Sequence, residues 1–320
     1  MTDTDLDPGA PRVARPSTGP SPRANTARRT VGWPTVMLFV APALALYGLF
    51  VLYPIVQSAR YSLYDWNGLQ PLDDFVGLGN FRRAFADANF RDAIKHNVVI
   101  IVLSLALQIP AALALAALLN SRIKGRAAMR TLFFAPYVLS EVVTGIVWRQ
   151  ILRPTGLVNH VLGQIGLDGW QRIWIDDPQY VLYSLFFVIS WKYFGFHMIL
   201  LLAGLQQIPP VLREAAAIDG ASAWQTFRHV TLPLLGPTIR VSVFLSVIGA
   251  LQLFDLVYVT TGGGPIGASS TMATFLYDRF SDRLLGYASA VSIVIFGMSL
   301  VVAIPYQRIA TRREMDGSLS

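Results

Sequence analysis

Glu141 lies near the middle of the apolar run FFAPYVLSEVVTGIVWR, where an ionised side chain is costly unless something makes use of it. At helical spacing its neighbours are Tyr137, four residues before, Thr144, three after, and Trp148, seven after. One helix would therefore carry a phenol ring, a carboxylate, a hydroxyl and an indole on a single face. Such a face suits a sugar, whose hydroxyls need donors and acceptors and whose C–H surfaces need aromatic rings. An inter-helix hydrogen bond that only holds a bundle together is the competing reading. A second stripe, Ser242, Ser246 and Gly249 at i, i+4 and i+7, continues to Gln252 and Asp255. Serine and glycine also let helices approach closely, so packing accounts for Ser242 and Gly249 at least as well.

The residues exclude several other chemistries. Without any cysteine, the chain has no disulfide, thiolate or cysteine–metal site. His96, His160, His197 and His229 stand singly, with no partner at metal-ligand spacing. No zinc, serine–base or paired-carboxylate constellation is present, so neither catalytic residues nor a metal is expected, and the chain does not read as an enzyme. TGGGP reads as a hinge and not as a phosphate loop, because no Lys-Ser/Thr pair or soluble helix follows it.

The elements that would position Glu141 and its neighbours are membrane spans. The 320 residues are 53% hydrophobic and only 14% charged, too few polar groups to cover a soluble core. Tryptophans and tyrosines gather near the ends of apolar runs, where their rings favour the headgroup level. Six segments reach the ~20 apolar residues needed to cross a bilayer: roughly 34–58, 97–119, 131–152, 180–204, 238–260 and 286–307. The expected fold class is an all-α, multi-pass membrane protein with six transmembrane helices. Residues 1–30, rich in Pro, Ser, Thr and Arg, read as a flexible tail. A six-helix domain over 31–310 follows, interrupted by a polar loop over 206–236, and 311–320 form a second tail. The first span reads as a retained helix and not as a signal peptide, being too long and continuous for an h-region.

Orientation follows the basic residues. With the N-terminus inside, fifteen arginines and lysines fall on the inner side and ten on the outer. Both termini, and with them the polar loop, are expected in the cytoplasm.

That loop contains EAAAIDGASAWQTFRHVTLPLLGP over 214–237. Pro209 and Pro210 stop the fourth span and begin a short helix, and Glu214 falls in or near its first turn, where a carboxylate suits the helix dipole. Gly220 ends this helix in a left-handed conformation. Ser222 and Gln225 have capping-box spacing and start a second helix through Phe227 and His229, which Pro233 closes. The run Ala215, Ala216, Ala217 leaves one side thin enough for another protein to approach. An interfacial amphipathic helix or re-entrant loop explains the same residues equally well.

The stretch resembles the EAA signature of bacterial ATP-binding-cassette importer permeases, carried here by Glu214, Ala215, Ala216, Asp219, Gly220, Leu232 and Pro233. FVGLGNFRRAF, AGLQQIP, TGGGP, TMATFLYDRF and GYASA resemble the carbohydrate branch, with its maltose-type and glycerol-phosphate-type permeases. The likeness runs from Val36 to Arg308. It implies the type I ABC importer permease fold and a coupling helix that docks in a cleft of a cytoplasmic ATPase. There Glu214 would pair with a basic group and Gly220 would set the angle between the two short helices. It also implies cargo contacts on the third to fifth spans. Register places Tyr137, Glu141 and Ser246 at family contact positions, and Thr144, Trp191, Tyr193, Gly249 and Gln252 complete the expected substrate path. In SWKYFGFHM the bulkier Tyr193 and Phe196 depart from the maltose-type pattern, which argues against maltose itself. Lys192 there would either pair with a carboxylate or snorkel outward.

The chain holds no G-x-x-x-x-G-K-[ST] run, so it carries no cofactor, and ATP and Mg would be bound by the partner ATPase. The resemblance implies a permease subunit in the cell membrane, importing a sugar or short oligosaccharide. Its partners would be ATPase subunits, a second homologous permease, an extracytoplasmic solute-binding protein, the cargo and lipid, but no nucleic acid. YSLYDWNGLQ is a candidate contact for the binding protein, and equally an interfacial aromatic anchor. A glycerol-phosphate cargo would want more buried positive charge than Lys192 supplies. A secondary transporter is the remaining alternative, against which stand the absence of an evident internal repeat and of a ladder of buried acids.

Overall fold

The computed structural model describes residues 33–121 and 123–317; the tail expected over 1–30 lies outside them. By its contacts the chain forms two units, one up to Tyr53 and one from Pro54 onward. Helix α1 (Val36–Tyr61) starts in the first unit and ends in the second. The second unit continues with α2 (Gly79–Ala86), α3 (Ala88–Asn120), α4 (Arg126–Val138), α5 (Glu141–Ile151), α6 (Leu157–Gln164) and α7 (Val181–Gln207). After α7 come the short α8 (Pro210–Ile218) and α9 (Ala223–Leu234), then α10 (Gly236–Leu251), α11 (Asp255–Thr261), α12 (Met272–Ser281) and α13 (Leu285–Gly317). Among the described residues the β pairing is a single bridge, Tyr64 with Phe75.

Among the described residues four helices are long and apolar enough to cross a bilayer: α1, α3, α7 and α13 over Leu285–Arg308. Two bent pairs bring the number to as many as six, if each is one crossing. The expected third span is one of these pairs, α4 and α5, bent by 98° at Leu139–Ser140. The expected fifth span, 238–260, also fails as one helix. It stops at Leu251, resumes as α11 at Asp255, and is preceded by a 66° bend between α9 and α10. Pro233 does not close the second short helix either; α9 runs to Leu234, and the bend falls between Pro233 and Pro237. Helix α13 continues to Gly317, through most of the segment read as a C-terminal tail.

Proline explains a recurring local irregularity. Three wide π turns, Gly48–Leu52, Ser104–Gln108 and Phe227–Thr231, each end two residues before a proline: Pro54, Pro110 and Pro233. Proline cannot donate to the carbonyl four residues back and its ring collides with it. One widened turn moves that carbonyl aside without ending the helix.

Each break in an apolar segment frees backbone carbonyls that have no water to bond, so a side chain from elsewhere must serve them. At the first, Lys192 of α7 donates to the Leu139 carbonyl. At the second, Asn97 of α3 donates to Ala250 O, and Thr271 Oγ1 donates to Leu253 O at 2.8 Å. Asn97 also accepts from Met272 N at 2.9 Å, tying α12 to the same point. All three side chains are buried.

Helix α7 packs against α3, α4, α10 and α11. On one side Leu201, Leu202 and Leu205 join Ala112, Ala116 and Leu119 of α3 and Leu235; further along, Leu185 and Val188 meet Ile100, Leu256 and Val257. Helix α4 crosses α7 so closely that a Cβ on Gly195 would lie 1.9 Å from the Phe133 carbonyl oxygen. Gly195→Ala is therefore expected to force the two backbones apart at a cost of about 1–3 kcal/mol. A thermal midpoint in detergent clearly below that of the unmodified protein is the measurement; an unchanged midpoint would mean that α4 can slide freely on α7.

Candidate functional site

The two breaks face one cavity. It measures about 380 Å³ and is lined by residues of α3, α4, α5, α7, α10 and the start of α11, within the ~300–1,000 Å³ typical of small-ligand sites. Its acidic groups are Glu141 and Asp255, each in the first turn of a helix that begins at a break. Ser140 caps the first of these helices, its Oγ accepting from Val143 N at 3.2 Å. A carboxylate at such a helix start is stabilised by the unpaired amides and the dipole, which explains how an apolar segment tolerates one.

Aromatic rings form much of the wall. Tyr137 stacks on Phe196 at 4.9 Å between centroids and stands edge-on to Tyr193 at 5.9 Å. Tyr193 Oη donates to Glu141 Oε1. Phe254 lies at the far side. The remaining polar lining comes from Ser104, Gln108, His197, Ser246 and Gln252. His197 is buried, and its Nδ1 lies 2.8 Å from Ser242 Oγ.

Of the residues expected along a substrate path, Tyr137, Glu141, Tyr193, Ser246, Gly249 and Gln252 come together on this lining. They do so by a different geometry from the one expected. Tyr137 and Glu141 are not on one helical stripe, because the chain breaks between them. Thr144 is buried outside the cavity, with Oγ1 donating to Ser140 O at 2.9 Å. Trp191 packs against Trp148 at 5.4 Å, and neither lines the cavity. Lys192 neither pairs with a carboxylate nor snorkels; its ammonium seals the Leu139 carbonyl.

Sequence reading passed over Ser104, Gln108 and His197 on this lining. The signal for the first two was Pro110, since the π turn before it bounds Ser104–Gln108. His197, which stands singly in the sequence, sits well inside α7.

The polar loop forms a second surface. Helix α8 begins with Pro209 as N-cap and Pro210 as its first residue, and ends at Gly220, whose φ is +80°. The Ser222–Gln225 capping box is present, each residue bonding the other's backbone amide. Glu214 is the fifth residue of α8, one past the first turn. No residue of α8 is buried, and its apolar side chains face outward, Ile218 being 87% exposed; Trp224 on α9 is 65% exposed. Glu214, Ala215, Asp219, Gly220 and Pro233 are exposed, while Ala216 and Leu232 are half-buried. Arg213, Ala217 and Ala221 border a groove of about 610 Å³ whose floor includes Ala117, Leu205 and Phe227. The surface is thus continuous with the ends of α3 and α7.

The segment YSLYDWNGLQ is structured. Asn67 Oδ1 accepts from Leu69 N and Gln70 N at 3.0 and 3.1 Å, and Trp66 Nε1 donates to Gln70 O at 2.7 Å. At TGGGP, Ser269 Oγ donates to Gly264 O at 2.6 Å and Ser269 N donates to Gly263 O at 3.3 Å.

Comparison with known proteins supplies a family. Residues 108–314 match the profile described as binding-protein-dependent transport system inner membrane component. The lactose transport system permease protein of Rhizobium radiobacter is 38% identical over 278 residues, covering 85% of this chain and 91% of the relative. The trehalose/maltose transport system permease protein of Thermococcus litoralis is 32% identical over 277 residues, covering 86% and 93%. Among solved structures, a bacterial ABC transporter involved in the import of the acidic polysaccharide alginate superposes with a TM-score of 0.75 at 26% identity. The match covers 87% of this chain and 95% of that one.

Proposed function

The chain belongs to the family of binding-protein-dependent transport system inner membrane components, and from that premise we propose that it is the permease subunit of an ABC importer for a sugar or short oligosaccharide. The observation that carries the cargo class is the cavity. Tyr137, Tyr193 and Phe196 offer ring faces beside Glu141, Gln108, Ser246 and Gln252, which offer acceptors and donors. Rings for C–H surfaces and polar groups for hydroxyls are what a sugar requires.

In this reading both termini and the α8–α9 loop lie in the cytoplasm, in the cell membrane, as the distribution of basic residues favours. Helix α8 docks on a partner ATPase that binds ATP and Mg. Glu214 pairs with a basic group of that partner, and Ala215–Ala217 allow close approach. Asp219 and Gly220 set the exit from α8, with Leu232 and Pro233 joining α9 to α10. Because α7 feeds α8 and α9 bends into α10, a push on the loop reaches two walls of the cavity. A second, homologous permease completes the path, and a solute-binding protein delivers cargo outside.

The test is reconstitution with a partner ATPase, a sister permease and a solute-binding protein, followed by ATP-driven uptake of labelled neutral oligosaccharides. Glu141→Ala is expected to lower uptake about tenfold or more with the complex still assembled, since it removes an acceptor and the Tyr193 partner together. Loss of assembly in place of uptake would return Glu141 to a packing role. Uptake that proceeds without ATP would favour a secondary transporter.

A further inference from the structure

We propose that this cavity selects uncharged glycans and rejects anionic ones, with Glu141 and Asp255 as the discriminating residues; the proposal rests on the permease reading and narrows its cargo. Both carboxylates line the cavity, and no lysine or arginine does. The nearest cation, Lys192, is turned to the Leu139 carbonyl, with its Nζ 5.6 Å from the centre of the Tyr193 ring. Tyr137 and Tyr193 bring phenol hydroxyls and not cationic groups, and the imidazole on the lining, His197, is engaged with Ser242.

The two carboxylates are placed alike. Each sits in the first turn of a helix that starts at a break, where the dipole favours a negative group. An uncharged sugar hydroxyl finds there a charge-assisted acceptor, stronger than a neutral one. A uronate, sulfonate or phosphate ester would bring a like charge into a confined, poorly screened space, with no lysine or arginine on the described lining to compensate it. A further polar group independent of the carboxylates points to a ligand that donates and accepts. Gln108, on the lining and only 4% exposed, has an Nε2 with no hydrogen-bond partner; such a group is ordinarily satisfied.

The experiment uses the complete permease–ATPase complex without its solute-binding protein, so that delivery exerts no choice. It is dialysed against an equimolar mixture of neutral di- and trisaccharides and the matching uronic acid oligomers, and the retained glycans are identified by mass spectrometry. Neutral members are expected to be retained at least about tenfold over their uronic counterparts. Glu141→Gln combined with Asp255→Asn keeps size and hydrogen-bonding capacity while removing both charges. It is expected to raise the uronic-to-neutral ratio by about tenfold; if the pair does not assemble, each single substitution is read in the same way. Equal retention of both classes, or a ratio unmoved by the substitutions, overturns the proposal and leaves the permease reading intact. Retention of no glycan, with ATP-driven uptake of neutral oligosaccharides also absent, overturns both.

Discussion

Valine in place of Gly220 is expected to reduce ATP-driven uptake by at least about tenfold while the permease stays assembled in the membrane. The argument is confined to the backbone. Gly220 has a φ of +80° and closes α8 in a Schellman arrangement, with Ala221 N donating to Ala216 O at 2.9 Å and Gly220 N donating to Ala217 O at 3.1 Å. No atom lies within 4 Å of where a Cβ would stand, so crowding is not the difficulty. The left-handed conformation itself costs an L-residue about 1–2 kcal/mol, more when it is β-branched and less for asparagine. Helix α8 has no buried residue to offset that cost. The turn between α8 and α9 would therefore reopen before any span is disturbed. The expected order of uptake is Gly, Asn, Ala, Val, with equal amounts of protein in purified membranes. Glu214→Ala belongs in the same assay and is expected to fall with Val. If Gly220→Val transports normally, the angle between the two short helices is not what carries the ATPase's closure to the spans.

That turn was legible in the sequence because its causes are local. Proline at a helix start, glycine just past a helix end and Ser-x-x-Gln at the next start are each decided within four residues of chain, and Pro209, Gly220 and Ser222 stand as expected. The cavity was legible in composition but not in geometry. Tyr137, Glu141, Tyr193 and Ser246 do line it, yet periodicity treated the third and fifth spans as unbroken. A hydropathy window averages across a break, and it cannot see that carbonyls freed at Leu139, Ala250 and Leu253 find donors 53, 153 and 18 residues away. Without those donors an interrupted helix would be excluded from an apolar medium. The same blindness put Thr144 on one stripe with Tyr137, since a 98° bend turns α5 so that Thr144 is buried beside Ser140. Gln108 was missed for the opposite reason. Its cause, Pro110, is local, but its consequence is a widened turn and not a stop.

The break at Leu139 leads to the second large effect. Lys192→Met is expected to lower the thermal midpoint of the complex and to abolish sugar uptake, whereas Lys192→Gln preserves much of both. The ammonium donates to the Leu139 carbonyl from a side chain only 3% exposed. Methionine fills similar space without a donor and leaves that acceptor unpaired in an apolar medium, a cost of about 1–3 kcal/mol. Glutamine retains a donor and discards the charge. The effect reaches the cavity because Ser140 and Glu141 follow directly, and the Tyr193 hydroxyl that bonds Glu141 belongs to the next residue after Lys192 on α7. A slip at the break would therefore separate Glu141 from Tyr193 and loosen the Tyr137–Phe196 stack together. If Met and Gln are equally damaging, the positive charge matters and not the donor, and the lysine acts on Glu141 electrostatically. If neither has an effect, water serves the Leu139 carbonyl in the membrane, and the cavity is wet at that end.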